Sequence, residues 1–129
     1  MKPLTHDWVK KAEEDFLVAS QIMRRKKQRG FTAACFHCQQ TVEKYFKARL
    51  HEAEIPFPKT HDLVLLLELL EAIEPLWITY ASTVRRLTGY AVNFRYPGED
   101  ATLAEARIAL KHSRSLRAEV RRSLGLKSK

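Results

Sequence analysis

Cysteine is nearly absent from this sequence, and where it occurs it cannot staple a fold. The two cysteines, Cys35 and Cys38, stand so close that a bridge between them would close a trivial loop. Nothing therefore demands an oxidising compartment. Long apolar runs are missing too. None approaches the roughly 18–20 residues of a membrane span, and the opening MKPLTHDW holds no apolar stretch of signal-peptide type. The expectation is a soluble, cytoplasmic protein with no membrane partner. Strict apolar–polar alternation, internal repeats and low-complexity tracts are likewise lacking, which argues against strands, solenoids and linkers. At 129 residues and 45% hydrophobic composition, the chain suits one domain over 1–129, with a frayed basic tail from about residue 125.

What is present is apolar spacing of three and four. Trp8, Ala12, Phe16, Ala19 and Met23 share one face of a first helix over about 6–26, which Arg29-Gly30 ends. Phe31, Ala34, Cys35, Cys38, Val42, Tyr45, Phe46 and Leu50 lay out a second helix over about 31–53. The two-proline connector EIPFPKTHD follows. Thr60 is expected to cap the short apolar helix DLVLLLELLEAI. Pro75 suits the first turn of a fourth helix, about 75–92. Thr102-Leu103-Ala104-Glu105 matches a capping box and opens a last helix that runs to about Leu124, before Gly125. The class is all-α: an up-and-down bundle of about five helices around a four-helix core, with short connections favouring antiparallel neighbours.

Acid is the scarcer charge. Fifteen Asp and Glu against 23 Lys and Arg give a net +8, spread unevenly. From residue 111 onward, Lys111, Arg114, Arg117, Arg121, Arg122, Lys127 and Lys129 face only Glu119, seven cations against one acid, or +6. A second run, MRRKKQR at 23–29, falls at the predicted end of the first helix, where cations also favour the helix dipole. Clustered Lys and Arg point to a polyanion partner. A solvated helix face accounts for the same clustering.

One stretch interrupts the helical reading. In NFRYPGED, residues 93–100, Pro97 cannot extend a helix, disfavours helical geometry at Tyr96, and is followed by the permissive Gly98. Arg95 thus stands where a helix ends, either as a cation on the carbonyl end of that helix or as a presented ligand-binding group.

Taken together, FHCQQTVEKYFKARL on the second helix, KTHDL before the third and FRYP after the fourth resemble the HEPN family of small prokaryotic helical proteins, over roughly residues 7–123. The resemblance implies a dimerising helical bundle, often paired with a small nucleotidyltransferase in toxin–antitoxin systems, whose active members are metal-independent RNases. Their motif is an arginine followed after four to six residues by a histidine. Arg95 fits the arginine, but the histidine slots hold Asp100, Ala101 and Thr102, and the next histidine is His112. Histidine suits RNA cleavage because a pKa near 6.5 lets it take and return a proton. An ordinary aspartate performs only the first half. The implied function is therefore a nucleotide- or RNA-binding module with a broken RNase motif, needing no cofactor. Arg95 grips phosphate, Phe94 and Tyr96 offer stacking surfaces, and Arg85 and Arg86 extend the positive groove. Lys44 and Lys47 belong to the polar side of the second helix, with Gln39, Gln40 and Glu43, which the resemblance places near that groove. Two alternatives stand beside this: an RNase using Arg95 with Asp100 or another base, and a purely structural dimerisation module.

Cys35-Phe36-His37-Cys38 has the look of a redox or metal motif. Both thiols fall on the apolar stripe, where small thiols behave as core residues, and zinc would require His6 or His61 as further ligands. No metal site is assigned. His61-Asp62 reads first as helix-start chemistry.

Overall fold

The computed structural model describes every residue except Lys26, Gln28, Arg95, Ser128 and Lys129, and only the backbone of Ala91 and Val92. Five α-helices follow one another: α1 (Pro3–Arg24), α2 (Phe31–Glu52), α3 (Leu63–Leu70), α4 (Ala81–Asn93) and α5 (Leu103–Ser123). A 3-10 helix, Pro75–Tyr80, leads into α4. The sequence predicts one continuous α-helix there; the first six residues instead wind tighter. Among the described residues there is no strand. No helix among them is long and apolar enough to cross a membrane.

The stripe on α2 becomes the centre of the core. Ala34, Cys35, Cys38, Val42, Tyr45, Phe46 and Leu50 are all buried, and the other four α-helices pack around them. That central position overrides the amphipathic reading of α2. Gln39, Glu43 and Lys47, expected on an exposed polar face, are buried as well. Their polar atoms are satisfied by one another and by the connector that passes over them. On α1 the buried line is Val9, Ala12, Ala19 and Ile22, while Trp8, Phe16 and Met23 sit at its margin.

Helix ends follow local chemistry, with three departures from the sequence reading. Gly30, at φ 84°, begins α2 rather than closing α1, whose C-cap is Arg25. A left-handed residue reverses the chain here at little steric cost. Asp62, not Thr60, caps α3, accepting from the amides of Val64 and Leu65, while the Thr60 hydroxyl accepts from the Asp62 amide. An aspartate at this position also meets the positive end of the dipole. Finally, residues 125–127 are not frayed. Gly125 donates to the Arg122 carbonyl and Leu126 to the Arg121 carbonyl, the paired bonds of a Schellman turn, with Leu126 set against the core. The predicted capping box at Thr102 and Glu105 forms in full.

Cross-links show how the helices are oriented. The Lys2 amide donates to Glu52 Oε1 at 3.0 Å, so the start of α1 meets the end of α2. Arg49 reaches Glu74 and Ser123, bringing the beginning of the 3-10 helix and the end of α5 to the same place. At the opposite end the Ala101 amide donates to Thr32 Oγ1 at 2.9 Å, so the α4–α5 loop lies on the α1–α2 turn. Only α3 breaks the up-and-down order. The connector 53–62 climbs back along α2 until the His61 carbonyl accepts from Gln39, and α3 then descends parallel to α2. Both α4 and α5 rest on α2 and barely touch each other.

Candidate functional site

Several charges at the Glu52–Glu74 end have a partner on another element or within their own turn, though Glu71 and Lys127 have none among the described residues. Lys2 pairs with Glu54, Arg49 with Glu74, and Arg122 with Glu119. The seam between α1, α2 and α5 is equally closed. Glu13 accepts from Arg117 at 2.6 and 2.8 Å and from the Tyr45 hydroxyl, while Arg121 donates to that hydroxyl at 3.1 Å. Arg114 and Arg117 also lie over the Phe16 ring. Much of the basic C-terminal stretch that pointed to a polyanion is therefore internal adhesive. Arg117 is buried, and half of a charge-assisted network explains its presence without any ligand.

Lys44 and Lys47 meet the same fate. Lys47 is 7% exposed, donates to Glu43 and to the Thr60 carbonyl, and lies against the Trp8 and Phe57 rings. Lys44 is tied to Asp15, which also accepts from the His37 ring at 2.8 Å. Neither lysine reaches a phosphate without abandoning a carboxylate. They also stand 12 and 15 residues along α2 from Thr32, about 18–22 Å at 1.5 Å per residue. The groove near the α4–α5 loop is not where they are.

The loop itself is well anchored on both sides of Arg95, which lies outside the described residues. Tyr90 and Phe94, one turn apart on α4, stack with ring centroids 5.9 Å apart. Beyond them Tyr96 is 69% exposed, and its carbonyl accepts from the Glu99 amide in a turn that Gly98 completes at φ 89°. Asp100 is exposed and has no hydrogen bond or ion pair among the described residues. The capping of α5 is done by Thr102, so Asp100 does not perform it.

Cations without an ion-pair partner lie at this end and along α4 and α5 below it, as Lys10, Lys11, Lys59, Arg114 and Lys127 do elsewhere. Arg24 and Arg25 finish α1, and Lys27 and Arg29 follow in the turn. Arg85 and Arg86 are exposed on α4, and Arg107 and Lys111 on α5. None of the eight has an ion-pair partner among the described residues. Their field is felt by His112 on α5. Burial, and then the charges of Arg86 and Lys111, lower its pKa below the usual 6.5. Sequence reasoning noted Arg24–Arg29 but did not join it to the FRYP loop. The signal was the connectivity: in an antiparallel bundle the α1–α2 and α4–α5 turns share an end. The closeness of His112 to Arg86 depends on helix packing and leaves no mark in sequence spacing.

Cys35 and Cys38 are fully buried, and burial pushes both thiols up to about 12, well away from the reactive range. Among the described residues no group of three or more His, Cys, Asp or Glu is placed to hold a metal ion.

Three comparisons with known proteins bear on this geometry. No curated protein matches. A solved structure, TT1696 from Thermus thermophilus, superposes with a TM-score of 0.77 at 24% sequence identity, covering 92% of this chain and 96% of that one; at this identity the likeness speaks for the fold. The HEPN domain matches residues 5–123, nearly the whole chain. With five helices in the expected order and the family match running from α1 through α5, the chain belongs to the HEPN domain family.

Proposed function

We propose that this HEPN chain is a single-domain module that binds a phosphate-bearing ligand, a nucleotide or RNA, at the end of the bundle carrying the α4–α5 loop. The observation that carries the reading is the set of unpaired cations near that loop. Arg24, Arg25, Lys27, Arg29, Arg85, Arg86, Arg107 and Lys111 have no ion-pair partner among the described residues, as is also true of Lys10, Lys11, Lys59, Arg114 and Lys127 elsewhere. Unpaired guanidinium groups and an exposed Tyr96 are binding equipment, one for phosphate and the other for a base. Arg95 is the central phosphate-gripping residue of this reading, which also uses Tyr96, Arg85 and Arg86. Partnership with a nucleotidyltransferase in a toxin–antitoxin pair, and homodimerisation, are carried over from the resemblance.

Asp100 in the histidine slot favours binding without efficient cleavage, since an exposed carboxylate does not return a proton to a leaving oxygen near neutral pH. With fluorescent single-stranded RNA, Arg95→Ala is expected to weaken binding and to flatten the log–log salt dependence by about 0.7. Asp100→Ala is expected to leave affinity unchanged or raised, because it removes a negative charge. Measurable RNase activity that Asp100→Ala abolishes would favour the enzyme reading instead. Full binding by Arg95→Ala would remove the arginine from the site.

A further inference from the structure

The 3-10 helix leading into α4 displays the most exposed large apolar side chain among the described residues. Leu76 is 80% exposed and Ile78 53%. The tight winding explains the display. With three residues per turn, Trp77 and Tyr80 share one face and pack toward the core, which leaves Leu76 and Ile78 outward. Beside Leu76 the surface sinks into a cavity of about 350 Å3, whose lining includes Glu74, Leu76, Trp77, Tyr80, Glu119 and Arg122. Its inner wall is fixed. Trp77 stacks on Phe46 with ring centroids 6.2 Å apart, and its indole N–H donates to Glu119 at 3.0 Å. Arg122 is committed to the same carboxylate. Glu74 is only half committed: its Oε2 accepts from Arg49 and Ser123, while its Oε1 accepts no hydrogen bond from a described residue.

We infer that this face is a docking surface for a segment of another protein, one in which an apolar side chain is flanked by lysine or arginine. Charge selects the flanks. Residues 60–84 hold four acids, Asp62, Glu68, Glu71 and Glu74, and no Lys or Arg, in a chain of net charge +8. Glu68 and Glu71 are exposed where α3 runs into the 3-10 helix, and neither has an ion-pair partner among the described residues. Backbone bonds from Glu71 to Glu68, Glu74 to Leu70 and Trp77 to Glu74 fold this link tightly, which keeps the acids close to the apolar display. With the free Glu74 oxygen they are acceptors for cationic donors at its border. Leu76 and Ile78 select the centre, since burying such side chains is the main gain of association. A small ligand in the cavity would leave both in water, whereas a polypeptide segment covers them. A second copy of this chain fits poorly, because across a two-fold axis near Leu76 the same carboxylates would face one another. The inference is independent of the phosphate-binding reading, which concerns the opposite end of the bundle.

The test selects a displayed library of random dodecapeptides on the folded full chain and counter-selects on a Leu76→Ser/Ile78→Ser variant. Both positions are exposed, so the variant is expected to keep the wild-type melting curve. Enriched peptides should combine apolar residues with Lys or Arg. Synthesised and labelled with fluorescein, they should bind the variant about tenfold more weakly or worse, the loss expected for one buried leucine contact. Glu68→Gln/Glu71→Gln should weaken them about threefold at low salt and make little difference at high salt. Enriched peptides that lack Lys and Arg, or whose affinity the Glu68/Glu71 variant leaves intact at low salt, overturn the basic partner. No enrichment of the wild type over the Leu76/Ile78 variant overturns the docking surface itself. A wild-type dimer that the Leu76/Ile78 variant turns into a monomer in light scattering gives the face to a second copy and overturns the proposal.

Discussion

Lys47 illustrates how a single side chain changes meaning between sequence and fold. On paper it is a surface cation of an amphipathic helix. In the structure its ammonium group is held between Glu43 and the Thr60 carbonyl, against the Trp8 and Phe57 rings. Glu43, 2% exposed, is also bonded to the His61 ring at 2.8 Å. Removing one member of a buried pair strands the other charge, which costs about 3–5 kcal/mol. Lys47→Ala is accordingly expected to lower unfolding free energy by about 3 kcal/mol in a denaturant titration. Lys44→Ala, in the more exposed pair with Asp15, should cost about 1 kcal/mol. Equal losses in the two variants would show that Lys47 is not the buried support described. The sequence concealed this because burial of the polar side of α2 comes from the connector climbing back over it, a long-range event that helical periodicity does not encode.

At the level of the elements, periodicity and capping residues were legible. The buried apolar positions of α2 and the box at Thr102 and Glu105 follow from spacing alone. The parallel course of α3 was not, because it depends on where a ten-residue connector docks. The α1–α2–α5 seam was hidden for a similar reason. Glu13, Tyr45, Arg117 and Arg121 are far apart in sequence, and only packing joins them. Burial pushes the Glu13 carboxyl up, but hydrogen bonds from Arg117 and Tyr45 outweigh it, and the net shift is below the ordinary 4.5. A depressed carboxylate stabilises the fold above its unfolded pKa and loses that contribution as pH falls through the folded one. Stability of the wild type should therefore decline below about pH 4.5. Glu13→Gln should be less stable at pH 7 and show a shallower acid limb in melts recorded from pH 7 to pH 3. An acid limb of unchanged steepness would remove Glu13 from this role.

At the scale of the whole molecule, the aromatics of the 3-10 helix and of α4, which could have served a dimer interface, pack mostly inside one chain. Trp77 is buried and stacked on Phe46, and Tyr90 is buried beneath Phe94. Dimerisation therefore draws no support from Trp77, Tyr90 or Phe94. The proposal stands on the family resemblance, and the exposed apolar residues, Tyr96 among them, are the ones a partner surface has to cover. Light scattering at micromolar concentration is expected to give twice the chain mass of 15.0 kDa, and a value at the chain mass itself would contradict a dimer.

The candidate site was half legible. FRYP marked the loop and Pro97 marked the break. That the loop meets the α1–α2 turn, and that Lys44 and Lys47 stand far from it, are consequences of packing. The central claim is that the end carrying the α4–α5 loop binds phosphate through unpaired cations. Amide chemical-shift mapping of the folded chain with a U12 oligonucleotide tests it most directly. The account predicts shifts concentrated at residues 24–32, 85–86 and 94–102, and at His112, whose lowered pKa should rise as phosphate offsets Arg86 and Lys111. Shifts confined to the opposite end, around 74–80 and 119–122, or no shifts at saturating U12, would contradict it.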